Sequence, residues 1–323
     1  MPRFLISLDF ELMWGVREKR TIETYGANIL GARAAIPMML ALFREHRVRA
    51  TWATVGMLLF DDKKQLLDAL PELRPTYENT LLDPYASLDS IGSDESADPF
   101  HFGLSLARAI VECEGMELGS HTFSHYFALD PGQTRDQFAA DLHASVRAIE
   151  SVSERPKSIV FPRTQVNPSY FDICREAGFA AFRGTEGGWI YRAGDSRGNT
   201  LARRGARLVD AYVSLSGSNA AEPEEHAGLT DLPASRFLRP YSSALGRLDW
   251  LRVRRITTAM ETAARTNRTF HLWWHPHNFG ASTAKNLDVL RIILRAFQDL
   301  NERYGMQSQT MAEAAAEVGR RCR

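Results

Sequence analysis

Short apolar runs alternate with longer amphipathic stretches along this chain of 323 residues. The short runs are rich in β-branched and aromatic residues, which favours strands, whereas the longer stretches carry apolar residues at helical spacing. The predicted strands cover residues 3–8, 50–55, 116–119, 157–161, 180–182, 208–215 and 269–274. The predicted helices cover residues 34–45, 104–114, 133–151, 167–177, 250–266 and 283–304.

Repeated strand–helix units of this kind predict an α/β fold whose parallel sheet is closed or nearly closed by helices. Two irregular insertions, at about residues 71–99 and 184–232, interrupt the pattern and read as long surface loops. In a barrel enzyme such loops often cover the active-site face. The length would allow two domains, but one barrel commonly reaches this size, so we predict a single domain over residues 1–323.

The charge balance and the cysteines indicate which partners and which cellular compartment to expect. Basic and acidic residues both number 39, so nothing indicates nucleic acid or an anionic membrane as a partner. Asp9 and Glu11 interrupt the first apolar run, and we expect neither a signal peptide nor a transmembrane segment. Three widely spaced cysteines without a CxxC motif indicate reduced thiols and a cytoplasmic protein: Cys113, Cys174 and Cys322.

Polar side chains follow four of the predicted strands, at the point where each strand ends. In a β/α barrel the carboxyl ends of the strands form the active-site face, so these side chains are expected to converge. Asp9 and Glu11 are spaced i, i+2 and therefore leave an extended backbone on the same side. The remaining candidates at strand ends are His121, His125, Arg163 and His275.

His121 and His125 have the i, i+4 spacing that places two imidazoles on one face of a helical turn. Two imidazoles, one carboxylate and an open position for water suit a catalytic zinc ion, and a second carboxylate can act as general base. Two alternatives stay open: a surface turn with unrelated imidazoles, and ordinary loop or capping roles for Asp9 and Glu11. There is no Walker or GxGxxG motif.

The other strand-end residues have expected roles around this centre. Arg163 would pair with Asp9 and hold it ionised, although a purely structural ion pair is the alternative. His275 could protonate a departing amine, whereas His271, inside its strand, is more typical of a packed core histidine. The arginine-rich residues 192–207 could meet a phosphate, but a solvated loop is the preferred interpretation.

From SLDFELMWG to TFHLWWHPHNFG the chain resembles the polysaccharide deacetylases, which are carbohydrate esterase family four and its relatives with a chitooligosaccharide-deacetylase homology domain. The segment ELGSHTFSH matches the H-(S/T)-x-x-H motif of this family, which implies that His121 and His125 are metal ligands. FPRTQ resembles the Arg-Pro-containing motif and implies that Arg163 lies beside the catalytic base. WWHPHNFG resembles the last motif, which implies that His275 is the general acid.

The resemblance implies a distorted (β/α)7-type, TIM-like barrel with irregular insertions, and a Zn²⁺ or other divalent ion. The first motif departs from the family pattern of two adjacent aspartates, because Phe10 separates Asp9 from Glu11. This form is similar to an Asp-x-Asp/Glu variant of divergent members. Asp9 as base and Glu11 as ligand is the preferred assignment, the reverse stays open, and some relatives hydrolyse cyclic amides without metal.

We therefore expect a metal-dependent hydrolase that removes an N-acetyl group from an amino sugar, in the precursor of a surface polysaccharide or O-antigen. The acetamido sugar would be carried on a nucleotide or a lipid, and Gln165, His277 and Asn278 are expected to contact it. One alternative is a metal-independent amidohydrolase or lactonase of the same barrel. The other is a non-catalytic barrel that binds a glycan or a partner protein.

Overall fold

Strands and helices alternate along the chain in the computed structural model, which describes residues 1–187, 190–191 and 200–321. The strands are β1 (Arg3–Phe10), β2 (Ala50–Thr54), β3 (Met116–Ser120), β4 (Ser158–Ile159), β5 (Ala181–Phe182), β6 (Glu224–His226), β7 (Leu229–Asp231), β8 (Arg236–Phe237), β9 (Thr269–Trp274) and β10 (Gln307–Gln309). The helices are α1 (Ile22–Glu45), α2 (Lys63–Asp68), α3 (Leu104–Glu112), α4 (Arg135–Glu150), α5 (Phe171–Glu176), α6 (Leu201–Asp210), α7 (Asp249–Arg265), α8 (Thr283–Tyr304) and α9 (Met311–Arg321).

The strands form one curled sheet in the order β6-β7-β5-β4-β3-β2-β1-β9-β8, and β10 also pairs with β1. The β6–β7 pair is antiparallel, and the other pairs between these strands are parallel. Because parallel strands point the same way, their carboxyl ends lie along one edge of the sheet. This arrangement confirms the α/β fold with a curled parallel sheet of the (β/α)7 type.

The segment between β7 and β8 bridges the gap between the two sides of the sheet. Ala234 donates its backbone N–H to the Gly184 carbonyl (3.1 Å), beyond the end of β5. Its neighbour Ser235 donates to the His271 carbonyl of β9 (2.8 Å). These backbone bonds bring the side chains that follow β5 and β9 to the same side of the barrel.

The central strand β1 is buried over all of its residues, as expected for a parallel strand covered on both faces. Helices α1 and α8 pack their apolar sides against this part of the sheet, where Phe43 lies between Trp52 (ring centroids 6.4 Å apart) and Trp274 (6.3 Å). Close packing of this kind holds strand ends rigidly. The residues that follow β1 and β9 therefore have a stable support.

Two predicted elements were wrong in extent or type. Helix α1 begins at Ile22 rather than residue 34, and Thr21 and Thr24 form a capping box at this start. The prediction missed the first turns because Gly26 and Gly31 interrupt the helical pattern. Residues 208–215 do not form the predicted strand, since helix α6 runs to Asp210 and irregular backbone follows. The short strands β6, β7 and β8 were missed because two or three residues carry no readable alternation.

Helix α1 is long and apolar enough to cross a membrane by length and composition, and it is the one such helix among the described residues. Half of its most apolar window is buried inside the protein, and a buried core helix passes the same test. Of the three cysteines, Cys113 and Cys174 are buried free thiols, and Cys322 lies outside the described residues.

Helix α1 packs closely against the 3-10 helix Pro276–Ser282, which follows β9. Two glycines permit this approach. A Cβ on Gly31 would lie 2.4 Å from the Gly280 carbonyl oxygen, and one on Gly280 would lie 2.0 Å from the Asn28 carbonyl oxygen. Both contacts are with backbone, which cannot move aside as a flexible side chain can.

We predict that Gly31→Ala destabilises the protein by about 2 kcal/mol, although alanine alone would favour the helix by roughly 1 kcal/mol. The matched control is Gly205→Ala in helix α6, where a new Cβ meets nothing within 4 Å. This control should leave the free energy of unfolding unchanged or raise it. Urea unfolding of the two variants and the parent measures both effects, and an equal response of the two variants would contradict the packing argument.

Candidate metal and catalytic site

Glu11, His121 and His125 form a buried cluster at the carboxyl ends of β1 and β3. Glu11 Oε2 lies 3.3 Å from Nε2 of His121 and 3.1 Å from Nε2 of His125. One ligand atom from each residue lies within 4.8 Å of the others. Zinc ligands at about 2.0–2.1 Å in tetrahedral geometry are separated by roughly 3.3 Å, so this spacing suits a single ion.

The hydrogen bonds of the cluster fit a bound cation. Nδ1 of His121 lies 2.8 Å from the Val160 carbonyl, which must accept the Nδ1–H, so Nε2 is the ring nitrogen that faces Glu11 and is available to a metal. Glu11 Oε2 is itself a buried acceptor without a hydrogen-bond partner among the described residues. Acceptors that face one another in a buried place are unfavourable unless a cation or a proton lies between them. The residues present therefore fit a divalent metal.

Electrostatics keep this cluster in the protonation state that metal binding requires. Burial raises the pKa of Glu11, but the imidazoles of His275, His121 and His125 more than offset this, and the pKa lies well below its ordinary value. Burial lowers the pKa of His125 to about 4, against the opposing effect of Glu11. The carboxylate is therefore ionised and the His125 imidazole neutral near pH 7.

The two imidazoles lie on a strained loop and not on the helical turn that their spacing predicts. Thr122 (φ 63°) and His125 (φ 57°) both adopt left-handed backbone, which is unfavourable for a β-branched residue such as Thr122. Buried Asp141 of α4 holds this loop, because its carboxylate accepts the backbone N–H groups of Phe123 (2.7 Å) and Ser124 (3.2 Å) and the Ser124 hydroxyl. Burial raises the pKa of Asp141 to about 6, and these hydrogen bonds oppose the rise.

Asp9 is paired with Arg183, and the expected pairing with Arg163 is wrong. Nη1 and Nη2 of Arg183 donate to the two Asp9 oxygens at 2.7 and 2.8 Å, and both side chains are buried. Burial raises the pKa of Asp9, but Arg183 more than compensates, so the pKa lies below its ordinary value. Asp9 is therefore held as a carboxylate.

Arg163 points away from Asp9 because its backbone is left-handed (φ 58°). Its guanidinium pairs with Glu18 and lies 5.7 Å from the ring centroid of Phe127, whose ring also contacts His125. Arg163 therefore lies on the His125 side of the metal cluster. A catalytic role for it stays a prediction.

Ser7 and His271 extend the Asp9–Arg183 pair into a hydrogen-bond network. The Ser7 hydroxyl accepts from Arg183 Nη1 (2.9 Å) and lies 2.8 Å from His271 Nε2. Nδ1 of His271 lies 3.0 Å from the Leu232 carbonyl, and burial lowers the pKa of this histidine to about 3. His271 is thus a hydrogen-bonded core histidine, as its position within the strand indicated.

His275 lies between the two carboxylates. Its Nε2 is 3.6 Å from Asp9 Oδ2 and 3.7 Å from Glu11 Oε1. Its Nδ1 is 3.2 Å from Asn278 Oδ1, an acceptor, so Nδ1 carries a hydrogen and the ring orientation is fixed. His277 stacks on His275, with ring centroids 5.0 Å apart, and its Nδ1 lies 3.8 Å from Glu11 Oε1.

Three residues expected to contact the substrate have other neighbours in the structure. Gln165 is buried and uses its whole amide on the preceding loop, accepting from Leu129 N–H (2.9 Å) and donating to Asp130 (2.6 Å). His277 is buried against Glu11, and Asn278 orients His275. Of the arginine-rich residues 192–207, residues 192–199 lie outside the described residues, and residues 201–207 belong to α6.

The sequence reasoning missed two residues that organise the site, Arg183 and Asp141. Arg183 directly follows strand β5, so the rule that identified Asp9 and His275 would have identified it as well. Asp141 carries no such signal, because it is one of several polar residues within helix α4. Its role follows only from the tertiary contact with the 121–125 loop.

Residues 30–182 match the sequence model of a family described as polysaccharide deacetylase. The matched segment contains His121 and His125, whereas Asp9, Glu11 and His275 lie outside it and join the cluster through the fold. No curated protein matched the chain significantly. The resemblance to the polysaccharide deacetylases that was read from the motifs is thus confirmed over this segment.

Solved structures with the same fold include deacetylases and other hydrolases. A protein from Mycobacterium smegmatis assigned as a polysaccharide deacetylase has 13% identity and a TM-score of 0.61, with 99% of this chain and 91% of that chain covered. One from Pseudomonas aeruginosa PAO1 with the same assignment has 12% identity and a TM-score of 0.53, with 98% and 90% covered. Puue allantoinase has 12% identity and a TM-score of 0.54, with 97% and 88% covered. At these identities the likeness shows the fold alone.

We predict that Arg183→Met lowers the free energy of unfolding by about 3–5 kcal/mol, because it leaves the buried Asp9 carboxylate without its partner. The matched control is Arg135→Met, which removes an exposed ion pair with Asp172 and should cost less than about 1 kcal/mol. Chemical denaturation at neutral pH measures both losses. Equal losses would contradict the role given to the buried pair.

We predict that Asp141→Ala weakens zinc binding about 10–100-fold, because the loop that carries His121 and His125 loses its acceptor. The control is Asp136→Ala, an exposed carboxylate on the same helix that should bind zinc like the parent protein. Competition with a chromophoric chelator measures the affinity. An unchanged affinity in a folded Asp141→Ala protein would show that the loop holds its shape without this residue.

Proposed function

We propose that the protein is a metal-dependent hydrolase that removes an N-acyl group, in the first place acetyl, from an amino sugar. The observation that carries the proposal is the buried Glu11–His121–His125 cluster, with Asp9 and His275 directly beside it. The match of residues 30–182 to the polysaccharide deacetylase model supports the same reaction. The sugar is proposed to belong to a surface-polysaccharide or O-antigen precursor.

Glu11, His121 and His125 would hold the metal, with zinc as the first candidate because its usual ligands are imidazole and carboxylate. When bound, such an ion supplies Lewis-acid stabilisation of negative charge on the amide oxygen and lowers the pKa of water. The strained, hydrogen-bonded loop orients the two imidazoles before any ligand arrives. This preorganisation is what a catalytic site needs.

Asp9 and His275 would move the protons. Asp9, held as a carboxylate by Arg183, accepts a proton from the attacking water, and Arg183 fixes the direction of its oxygens. The water oxygen bonds to the carbonyl carbon. His275 has its Nδ1 occupied by Asn278, so Nε2 of the protonated ring delivers the proton to the nitrogen of the departing amine. The C–N bond then breaks, and the products are a free amino sugar and acetate.

Metal content tests the proposal first. The parent protein is expected to carry about one divalent metal per chain, and His121→Ala none, because the variant removes a ligand. The matched control is His226→Ala, which alters an exposed histidine on β6 and should keep the metal. Inductively coupled plasma mass spectrometry measures the content. A metal-free parent, even after soaking in zinc, would leave the metal-independent amidohydrolase as the better reading.

The two proton-transfer residues are tested by activity. His275→Ala should keep its metal and lose about 10²–10⁴-fold in kcat, the usual contribution of a general acid. Asp9→Asn should lose a comparable amount, since an amide cannot accept the proton. Acetate release from acetamido sugars measures the rates. Full activity in Asp9→Asn would overturn the assignment of the base, and full activity in both would favour a binding protein.

A further inference from the structure

Arg239 lies just beyond strand β8, on the same edge of the sheet as the catalytic groups. In the parallel β8–β9 pair Phe237 is the register partner of Trp273. Leu238 continues the ladder by donating its N–H to the Trp273 carbonyl (2.8 Å). Two residues after Phe237, Arg239 therefore occupies the register position beside His275. The rings of Phe237 and His275, 5.8 Å apart, confirm that the two strand ends are close.

The guanidinium of Arg239 is half-buried and forms no ion pair or hydrogen bond with any part of the chain that the structure describes. Two other arginines in this region each have a carboxylate partner. Arg236 of β8 pairs with Asp210 (2.5 Å), and Arg252 of α7 pairs with Asp249 (2.7 Å). Burial of an unmatched guanidinium is unfavourable, and a charged ligand would relieve it.

The groups that face Arg239 are cations and hydroxyls. Burial lowers the pKa of Arg239, the like charges of Arg252 and Arg207 lower it further, and the hydroxyls of Tyr212 and Tyr191 oppose the decrease. Arg207 donates its Nε–H to the Ile190 carbonyl (3.0 Å) and, within the described ranges, has no carboxylate at ion-pair distance.

The charged groups that act most strongly on Arg239 are the guanidinium groups of Arg252 and Arg207, so its surroundings carry positive charge. Glu186, which interacts with Arg207, accepts a hydrogen bond from Trp273 Nε1 (2.9 Å). Trp273 in turn lies beneath Arg183, whose Cζ is 4.3 Å from the indole ring centroid.

We propose that Arg239, with Arg207 beside it, forms an anion subsite next to His275 that binds a phosphate group attached to the amino-sugar substrate. The inference rests on the proposed function, because it identifies the substrate of that same site. A phosphate ester carries up to two negative charges, and guanidinium groups bind its oxygens through paired N–H donors. A nucleotide diphosphate and a lipid diphosphate share this chemistry.

Steady-state kinetics tests the preference. The probes are N-acetylglucosamine, its 1-phosphate, its uridine diphosphate and its diphosphate on a short polyprenol. Arg239→Gln should raise KM for the phosphorylated probes about tenfold more than KM for the free sugar, because a charge-assisted hydrogen bond is lost. Arg239→Lys keeps the positive charge but lacks the paired N–H donors of the guanidinium. Its KM for the phosphorylated probes should therefore lie between those of the parent and Arg239→Gln. The control Arg254→Gln, an exposed residue of α7, should behave like the parent.

Binding of inorganic phosphate to the protein separates this inference from the proposed function. Titration calorimetry should show about tenfold weaker binding in Arg239→Gln than in the parent and Arg254→Gln. Equal binding in all three proteins would overturn the subsite. Phosphate binding that depends on Arg239, without deacetylation of any sugar, would support the subsite and refute the proposed function. The diphosphate probe with the lower KM identifies the nucleotide or the lipid as the carrier.

Discussion

The carboxylate of Asp9 and the guanidinium of Arg183 form a two-pronged ion pair in the interior of the barrel. A buried ion pair of this kind is stabilised by further hydrogen bonds around it. Ser7 accepts one from Arg183, and His271, which is held by the Leu232 carbonyl, contacts the Ser7 hydroxyl in turn. The pair joins β1 to the residue that follows β5, across the interior. The orientation of the proposed base is thereby linked to the closure of the barrel itself.

The metal cluster has a separate support. Glu11 is placed by β1, but His121 and His125 depend on a loop whose left-handed backbone is unfavourable by itself. Asp141 offsets that strain with three hydrogen bonds from one buried carboxylate. The site thus consists of two independently held halves, a proton-transfer half and a ligand half, which meet where His275 contacts both carboxylates.

Much of the site could be predicted because its polar side chains directly follow apolar strands in the sequence. Asp9, His121 and His275 each stand at the end of a run that is readable as a strand, and parallel topology brings such ends together. Arg163 obeyed the same rule and yet does not reach Asp9, because a left-handed backbone redirects its side chain and sequence spacing does not reveal this. Asp141 acts through a tertiary contact that no local pattern contains. The short strands β6 to β8 were unreadable for a similar reason, since their pairing partners decide their conformation.

The first strand also has a consequence for how the chain acquires its shape. β1 pairs with β2 nearby in sequence, but also with β9 and β10, whose residues Thr269 and Gln307 both lie opposite Arg3. Contacts between such distant segments form slowly, because a long loop must close first. During synthesis on the ribosome, strand β1 therefore stays partly uncovered until β9 and β10 have emerged. A nascent chain of this topology is a natural client for chaperones that shield exposed strands.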